Sequence, residues 1–280
     1  MQRSGRLTDA SLELLHQSGI HFESYGQRLF SHARNFPLSI LYARDDDIAD
    51  YVALDTVDLG IVGRNLVVEN EVDVVELAEL GFGYCQLVVA VPEDSPIASP
   101  EQLLNSRIAT SYPVSAQRYF ESLGGSPEII EISGSVEVAP ALGVADAIVE
   151  LTATGSSLRL NDLRPIHTIL ESEAVLIANQ AAMQDPVKRA EIERLVIRIK
   201  SVIEAGRYKY IMMNAPEGNL DEILKIVPGL KAPTVVKLST EGWVAVHTAV
   251  KEDDFWTIIE DLRAAGASEI LVSSLDKFLL

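Results

Sequence analysis

Short apolar runs alternate with segments of helical spacing along the front two-thirds of the chain. Runs rich in Val, Ile and Leu between turn residues predict β-strands, whereas apolar residues three and four positions apart predict helices. Strands are predicted at 38–43, 57–63, 85–92, 107–112, 127–133 and 146–151. Helices are predicted at 8–19, 46–54, 99–105, 115–125 and 136–144. This alternation is typical of α/β layers around a mostly parallel sheet.

Two apolar runs indicate that this region is built from two lobes. The segments "YCQLVVAVP" (84–92) and "ESEAVLIAN" (171–179) are strand-like, as expected of buried connections rather than flexible linkers. We expect residues 1–85 and 173–206 to form lobe I, with residues 86–172 inserted as lobe II. Lobe I ends in a long predicted helix whose apolar stripe comprises Ile192, Leu195, Val196, Ile199, Val202 and Ile203.

The pattern changes after Gly206, and residues 207–280 predict a separate domain. Its predicted order is strand, helix, two strands, helix and strand, which is the ferredoxin-like βαββαβ order. The segments are 208–216, 219–229, 233–239, 243–250, 251–267 and 268–274. His247, inside the third of these strands, is interpreted as a strand residue rather than a ligand or catalyst. Such domains often serve regulation or assembly, but the fold order alone establishes neither.

Composition and charge narrow the classes of protein. The net charge of −18 argues against nucleic acid and anionic membranes as general partners. The start of the chain lacks the apolar stretch of a signal peptide, and no apolar run is long enough for a membrane span, so a cytoplasmic location is expected. A single cysteine, Cys85, suits a reducing compartment and is interpreted as a buried strand residue.

Although the net charge is negative, the arginines and lysines are distributed unevenly along the chain. The first 187 residues contain ten arginines and no lysine, whereas all eight lysines lie at or after Lys188. The planar guanidinium group matches two phosphate oxygens at once, so some of these arginines are candidates for phosphate recognition. A compositional habit of the source organism is the alternative explanation.

The segment "DAIVELTATGSSL" (146–158) carries the strongest chemical signal. A predicted strand ends near Glu150 and continues into the loop residues Thr152, Ala153, Thr154, Gly155, Ser156 and Ser157. Ligands of open α/β sheets bind outside the carboxyl ends of strands, and N–H groups at the start of a helix favour anions. Hydroxyl groups would add donors, and glycine permits close approach of the backbone. A carboxylate followed by such a loop suits a sugar phosphate, although a plain surface turn is the alternative.

Several motifs together resemble the long form of ATP phosphoribosyltransferase. The loop "ELTATGSSL" is similar to the family's phosphoribosyl-pyrophosphate loop. Five motifs precede this loop in the family's order: "QRSGRL", "QRL", "DLGIVG", "RIATSYP" and "GSVEVAP". Two more, "KYIMMNAP" and "LRAAGASEILV", lie in the tail and match the family's C-terminal part. The resemblance implies a two-lobed catalytic region like that of periplasmic binding proteins, followed by a ferredoxin-like, ACT-like regulatory domain.

The resemblance also implies the reaction and its ligands. N1 of the adenine of ATP attacks C1′ of phosphoribosyl pyrophosphate (PRPP), and pyrophosphate leaves, as the first step of histidine biosynthesis. Positioning and preorganised charge should dominate catalysis, because adenine N1 needs no general base. Mg²⁺ is expected as cofactor, held mainly by substrate oxygens and water. Glu150 would hold the ribose hydroxyls and the loop the 5′-phosphate; further candidates for substrate binding are Arg3, Arg6, Arg28, Asp58 and Tyr112.

These assignments have structural alternatives. Asp58 could cap a strand end, Tyr112 could be a packed aromatic residue, and Arg28 could form a surface ion pair. Glu137 in "GSVEVAP" could simply lie in the first turn of a helix, where the dipole favours it. Family members usually have a strand ahead of "SGRL", and here only Met1 and Gln2 precede Arg3, so the roles of Arg3 and Arg6 depend on that strand.

For the tail, the resemblance implies feedback inhibition by histidine and a homo-oligomer, dimeric when active and hexameric with the inhibitor. Asn214 and Thr234 align with the effector region, although both lie beside prolines and could be turn residues. Two other functions are left open by the sequence. One is a two-lobed binding or sensing protein, and the other is a catalytically impaired regulatory subunit.

Overall fold

The computed structural model describes residues 1–22, 29–227, 229 and 232–279. The chain divides into two compact units, one of residues 1–13 and 21–192, the other of residues 14–20 and 193–280. Each unit is described by itself below. Predicted lobe II lies within the first unit, whereas residues 14–20 and 193–206 of predicted lobe I belong to the second unit. The predicted lobe boundaries remain a proposal.

The first unit contains a small mixed layer that corresponds to predicted lobe I. Its elements are the start of α1 (Thr8–Gln17), β1 (Phe30–His32), β2 (Ser39–Leu41), α2 (Asp45–Ala53), β3 (Leu59–Gly63), α3 (Arg64–Glu69) and β4 (Val75–Glu79). The rest of α1, from Leu14, belongs to the second unit. Strands β1 and β2 pair with each other, whereas β3 and β4 flank the later strand β10 (Ala174–Ala178). Apolar residues of α2, β3 and β10 form one buried cluster.

A five-stranded sheet forms the second part of the first unit. Its elements are β5 (Cys85–Pro92), β6 (Arg107–Thr110), α4 (Pro113–Ser122), β7 (Glu128–Glu131), β8 (Ala147–Thr152), α5 (Ser156–Leu160) and β9 (Leu163–Ser172). The strand order is β7-β6-β8-β5-β9, and buried clusters lie on both faces of the sheet. A short 3₁₀ turn at Pro100–Leu103 begins with a capping box, in which Ser99 and Gln102 hydrogen bond reciprocally.

The two sheets are mixed, although all strands but one in each run in the same direction, as expected of a mostly parallel sheet. Strands β6, β7 and β8 are parallel, but β5 runs antiparallel to both β8 and β9, and β10 runs antiparallel to β3 and β4. The parallel strands are joined by local crossovers, whereas β5 and β10 enter their sheets from the other part of the unit. Each sheet therefore contains one antiparallel strand supplied by a chain crossing.

The prediction of a helix over residues 136–144 was wrong. Only Val136–Val138 form a helical turn, of the 3₁₀ type. Pro140 lacks the N–H needed to continue an α-helix, and Gly143 has a positive φ of 67° that ends the segment. Glu137 lies in this turn and is half-buried.

The second unit confirms the ferredoxin-like order. Helices α6 (Gln180–Gln184) and α7 (Pro186–Gly206) lead from the first unit, and the apolar stripe of α7 is buried at Ile192, Leu195, Ile199 and Val202. The domain itself comprises β11 (Tyr208–Pro216), α8 (Leu220–Ile226), β12 (Thr234–Lys237), β13 (Trp243–Lys251), α9 (Phe255–Ala264) and β14 (Ser268–Ser274). Its antiparallel sheet has the order β12-β13-β11-β14, with a core between one face and the two helices.

Candidate active site

The carboxyl end of β8 lies beside the chain crossings of the first unit. Because β5 and β8 are antiparallel, Gln86 near the start of β5 is opposite Thr152 at the end of β8, and Val88 is opposite Glu150. Cys85, the first residue of β5, is opposite Ser172, the last residue of β9. Glu150 and the following loop are therefore located next to the point where the chain passes between the two sheets.

A buried polar contact fixes the crossing. The backbone N–H of Asn65 donates to Ser172 Oγ at 2.9 Å, and Ser172 Oγ donates to Asn65 Oδ1 at 3.0 Å. Both side chains are buried. Cys85 is buried at the same place, as predicted, and burial raises the pKa of its thiol. Such a satisfied buried network specifies one arrangement of the crossing strands.

Glu150 is half-buried and has few donors. Burial raises the pKa of its carboxyl group, and the negative charge of Glu137 acts in the same direction. The backbone N–H of Leu151, which donates to Oε1 at 2.9 Å, opposes that rise. A carboxylate with this balance retains acceptor capacity for hydroxyl groups of a ligand.

The loop after β8 is ordered by its own side chains. Thr152 Oγ1 accepts the N–H of Gly155 at 2.8 Å, and Thr154 Oγ lies 2.7 Å from Ser156 Oγ. Gly155 precedes α5 with φ of 70°, in the left-handed region that favours glycine. The loop thus turns sharply, and the hydroxyls of Thr154 and Ser156 remain exposed. Helix α5 begins directly at this turn, with the orientation in which a helix attracts anions.

Tyr112 lies where the two cores of the first unit meet. Its half-buried ring packs against the cluster under β5 and β6 and also against the cluster around α2 and β10. Burial raises the pKa of its phenol, and the negative charges of Glu150, Asp45 and Asp46 add to the rise. The prediction of a packed aromatic residue and the prediction of a residue between the lobes are thus compatible.

The two described arginines of the N-terminal segment lie on the exposed surface of the same region. The backbone N–H of Arg3 donates to the carbonyl of Ala43 at 2.8 Å, beside the start of α2. The positive charge of Arg6 acts on the Cys85 thiol, which places Arg6 near the crossing. Both side chains are exposed to solvent. Arg28 lies outside the described residues.

Asp58 is not brought together with the other candidates. It directly precedes β3, so it lies at the amino end of that strand, whereas the crossing follows the carboxyl end at Gly63. Its carboxylate pairs with Lys188 Nζ at 2.7 Å, and its carbonyl accepts the N–H of Asn179. This position gives no support to the prediction that Asp58 lines the cleft, and it suits the structural alternative of a residue that fixes a strand end.

Comparisons with known proteins agree with this geometry. The sequence profile described as "HisG: ATP phosphoribosyltransferase" matches residues 44–201, and the profile of the HisG C-terminal domain matches residues 205–277. The chain belongs to the ATP phosphoribosyltransferase family. It is 42% identical to the ATP phosphoribosyltransferase of Cytophaga hutchinsonii over 279 residues, covering 100% of this chain and 97% of the relative.

Two further relatives support the assignment to ATP phosphoribosyltransferase. The enzyme of Methanocaldococcus jannaschii is 40% identical over 283 residues, covering 100% of this chain and 98% of the relative. The solved structure of the ATP phosphoribosyl transferase (HisG:HisZ) complex from Thermotoga maritima matches with a TM-score of 0.61 and 27% identity, covering 70% of this chain and 96% of that chain. The chain is thus a long-form ATP phosphoribosyltransferase, a glycosyltransferase that catalyses the first step of histidine biosynthesis.

One residue of this ATP phosphoribosyltransferase was missed by sequence reasoning. The carboxylate of Glu69, at the end of α3, accepts hydrogen bonds from the first turn of α4. Glu69 lies more than forty positions before its partners, in a stretch that carries no motif. The sequence predicted α4 but not α3, and it carried no signal that the two helices meet.

The C-terminal domain contains a shallow depression on its sheet. The depression is lined by Met212, Met213, Asn214, Ala245, His247, Glu269 and Leu271. Asn214 Nδ2 donates to the carboxylate of Glu269 across β11 and β14, and Tyr210 Oη lies 3.3 Å from His247 Nδ1. His247 is thus a strand residue, as predicted. Thr234, on the edge strand β12, is exposed and lies opposite His247.

Neither a preformed metal centre nor a membrane-spanning segment is found in the described part of the chain. Its His, Cys, Asp and Glu side chains form no group of three or more that could hold a metal ion. Its helices are too short or too polar to cross a bilayer.

Proposed function

We propose that PRPP binds at the carboxyl end of β8, with its ribose hydroxyls on Glu150 and its 5′-phosphate in the loop from Thr152 to Ser157. The observation that carries this proposal is the adjacency of a half-buried carboxylate and a hydroxyl-rich turn. A carboxylate accepts from two neighbouring hydroxyls, while N–H and O–H groups at the start of α5 suit a phosphate dianion. Ala153, Thr154, Gly155 and Ser156 supply the backbone of the cradle.

The proposed reaction needs positioning more than acid–base chemistry. The lone pair of adenine N1 forms the bond to C1′, and the electron pair of the broken C1′–O bond leaves with pyrophosphate. Positive charge develops at C1′, and negative charge develops on the leaving group. Glu150, held beside the ribose, stabilises positive charge nearby, whereas phosphate donors stabilise the leaving group. Tyr112 is proposed to line the same cleft and to limit the access of water.

Positive charge must accompany the substrates into this region. This region is negatively charged, since Asp45 and Asp46 act on Tyr112. The carboxylate of Glu137 acts on Glu150. Arg3 and Arg6 are proposed to contact substrate phosphates, because their exposed side chains lie at the crossing and near α2. Mg²⁺, which the family generally uses, is proposed to be held mainly by pyrophosphate oxygens and water. When bound, Mg²⁺ would neutralise charge on the leaving pyrophosphate.

The test of the PRPP site is the pair of variants Glu150→Gln and Glu150→Ala. We expect the KM for PRPP to rise at least tenfold in each, because hydrogen bonds from hydroxyls to a charged acceptor contribute ~1.5–3 kcal/mol. The KM for ATP should change much less. Glu131→Gln is the matched control, since Glu131 also ends a strand of this sheet but is exposed. Equal losses in the control and in the Glu150 variants would contradict the assignment.

Histidine is proposed to inhibit the enzyme through the C-terminal domain, with Asn214 and Thr234 in the effector region. The depression beside Asn214 offers the amide of Asn214 and the carboxylate of Glu269 to a polar ligand. The active enzyme is proposed to be a homodimer and the inhibited enzyme a hexamer. Asn214→Ala and Thr234→Ala should raise the histidine concentration needed for half-inhibition without changing kcat. Sedimentation velocity with and without histidine tests the change of assembly.

A further inference from the structure

The first turn of α4 is capped by a residue from a distant part of the first unit. Glu69 Oε1 accepts the N–H of Val114 at 2.8 Å, and Glu69 Oε2 accepts the N–H of Ser115 at 2.9 Å. The hydroxyl of Ser115 donates to the same Oε2 at 2.6 Å. Ser115 is buried, so these groups have little access to water as a substitute partner.

The local sequence cannot provide this cap. Tyr112 occupies the N-cap position, and its side chain makes no capping hydrogen bond. Pro113 follows at the first helical position, where its missing N–H does no harm, so Val114 and Ser115 carry the first free donors. A carboxylate at this end of a helix is favoured by the dipole, and both of its oxygens are used. Glu69 therefore performs from α3 the task that a neighbouring Ser or Asp usually performs.

The capped turn leads directly into the proposed site. Ser111 and Tyr112 connect the end of β6 to the start of α4, and the last residue of β6, Thr110, is opposite Val149, the residue before Glu150. We propose that Glu69 is a positioning residue for the transferase reaction. By fixing the start of α4, it holds Ser111 and Tyr112 against Glu150 and thereby sets the geometry of the ribose pocket. The proposal rests on the PRPP site proposed above.

Two variants and one matched control separate positioning from a general loss of structure. Glu69→Gln keeps one acceptor oxygen, whereas Glu69→Ala removes both. Glu71→Gln is the control, because Glu71 also connects this region to α4, through an exposed ion pair with Arg118 at 3.0 Å. Each full-length variant is assayed for kcat and for both KM values, and hydrogen exchange is measured on peptides covering residues 111–120.

We expect the KM for PRPP to rise about tenfold in Glu69→Ala and less in Glu69→Gln, since small displacements of positioning groups are costly in rate and affinity. Exchange at the N–H groups of Val114 and Ser115 should accelerate in the same order, and the control should match the parent. A merely structural role would instead lower kcat through loss of active enzyme, at an unchanged KM.

Unchanged exchange in the Glu69 variants, or faster exchange with an unchanged KM for PRPP, would overturn the proposal. The PRPP site is judged separately by the Glu150 variants. If those leave the KM for PRPP unaffected, the ribose assignment fails, whereas the exchange measurement still decides whether Glu69 holds the start of α4.

Discussion

Gly155→Ala tests whether the loop after β8 depends on its left-handed turn. Gly155 has φ of 70°, where a residue with a Cβ atom is strained by ~1–2 kcal/mol. The added Cβ would lie 2.9 Å from Arg159 Nη1, but this is the far end of an exposed side chain that can move away. The expected cost is thus about 1 kcal/mol, or ~2–4 °C in Tm for a region of this size.

The expected effect on activity is larger than the effect on stability. Relief of the strain would rotate the peptide N–H groups at the start of α5 away from the proposed phosphate position. We expect the KM for PRPP to rise about tenfold, measured by the initial rate with PRPP varied at saturating ATP, and Tm to be measured by calorimetry.

Gly124→Ala is the matched control for this prediction. Gly124 has φ of 81° at the end of α4, and a Cβ there would meet no atom within 4 Å. It should lose similar stability with an unchanged KM for PRPP. If both variants raise that KM equally, or if Gly155→Ala leaves it unchanged, the turn does not shape the phosphate site and the reasoning is refuted.

Three further predictions concern protonation and packing. Because the pKa of Glu150 is raised, kcat/KM for PRPP should fall as pH drops through that raised value, and Glu150→Gln should lack this step. The hydrogen bonds from Arg107 lower the pKa of Asp146, so its stabilisation should be present above pH ~4 and lost as pH falls further; Asp146→Asn should cost about 1 kcal/mol in urea denaturation. Asn179→Ala removes a buried cap and one of the two hydrogen bonds to the Val52 carbonyl, which should cost about 2 kcal/mol and lower Tm.

Controls for these predictions come from exposed neighbours. Glu71→Gln breaks only an exposed ion pair and should cost less than 1 kcal/mol, in contrast to Asp146→Asn, whose carboxylate also holds a backbone N–H. Gln180→Ala is the control for Asn179→Ala, because Gln180 is the next residue and its exposed side chain contacts only Asp73 among the hydrogen bonds described. If a control lost as much free energy of unfolding as the variant it is paired with, burial and backbone contacts would not determine the size of that loss. If kcat/KM for PRPP still falls at low pH in Glu150→Gln, that fall is caused by protonation of the substrate phosphate and not of Glu150.

The sequence identified the strands with continuous apolar runs and missed those without them. Strand β4 (Val75–Glu79) carries glutamates that point to solvent, and β9 (Leu163–Ser172) is an edge strand with only its first and last residues buried. Edge strands expose one face, so their composition resembles that of loops. The reversed direction of β5 and β10 was not predicted, because it is set by the chain crossing and not by local sequence.

The proposed PRPP loop could be located from the sequence because its chemistry is local. Glu150 and the residues to Ser157 are consecutive, and a strand that ends in hydroxyl residues and glycine already specifies where their donors can point. The shape of the turn is equally local, because Gly155 alone supplies the left-handed backbone conformation. The contacts of Tyr112 with two separate cores are not local, and its sequence left both interpretations open.

Asp58 and Glu69 mark the limit of such reasoning. Both are carboxylates on either side of β3, and only Asp58 belongs to a motif that the sequence singled out. The fold gives them different neighbours, because Asp58 at the amino end of β3 pairs with Lys188, whereas α3 carries Glu69 to the start of α4. The direction of one strand decides this difference. The neighbours of the two carboxylates therefore follow from their positions before β3 and at the end of α3, which the motif alone does not give.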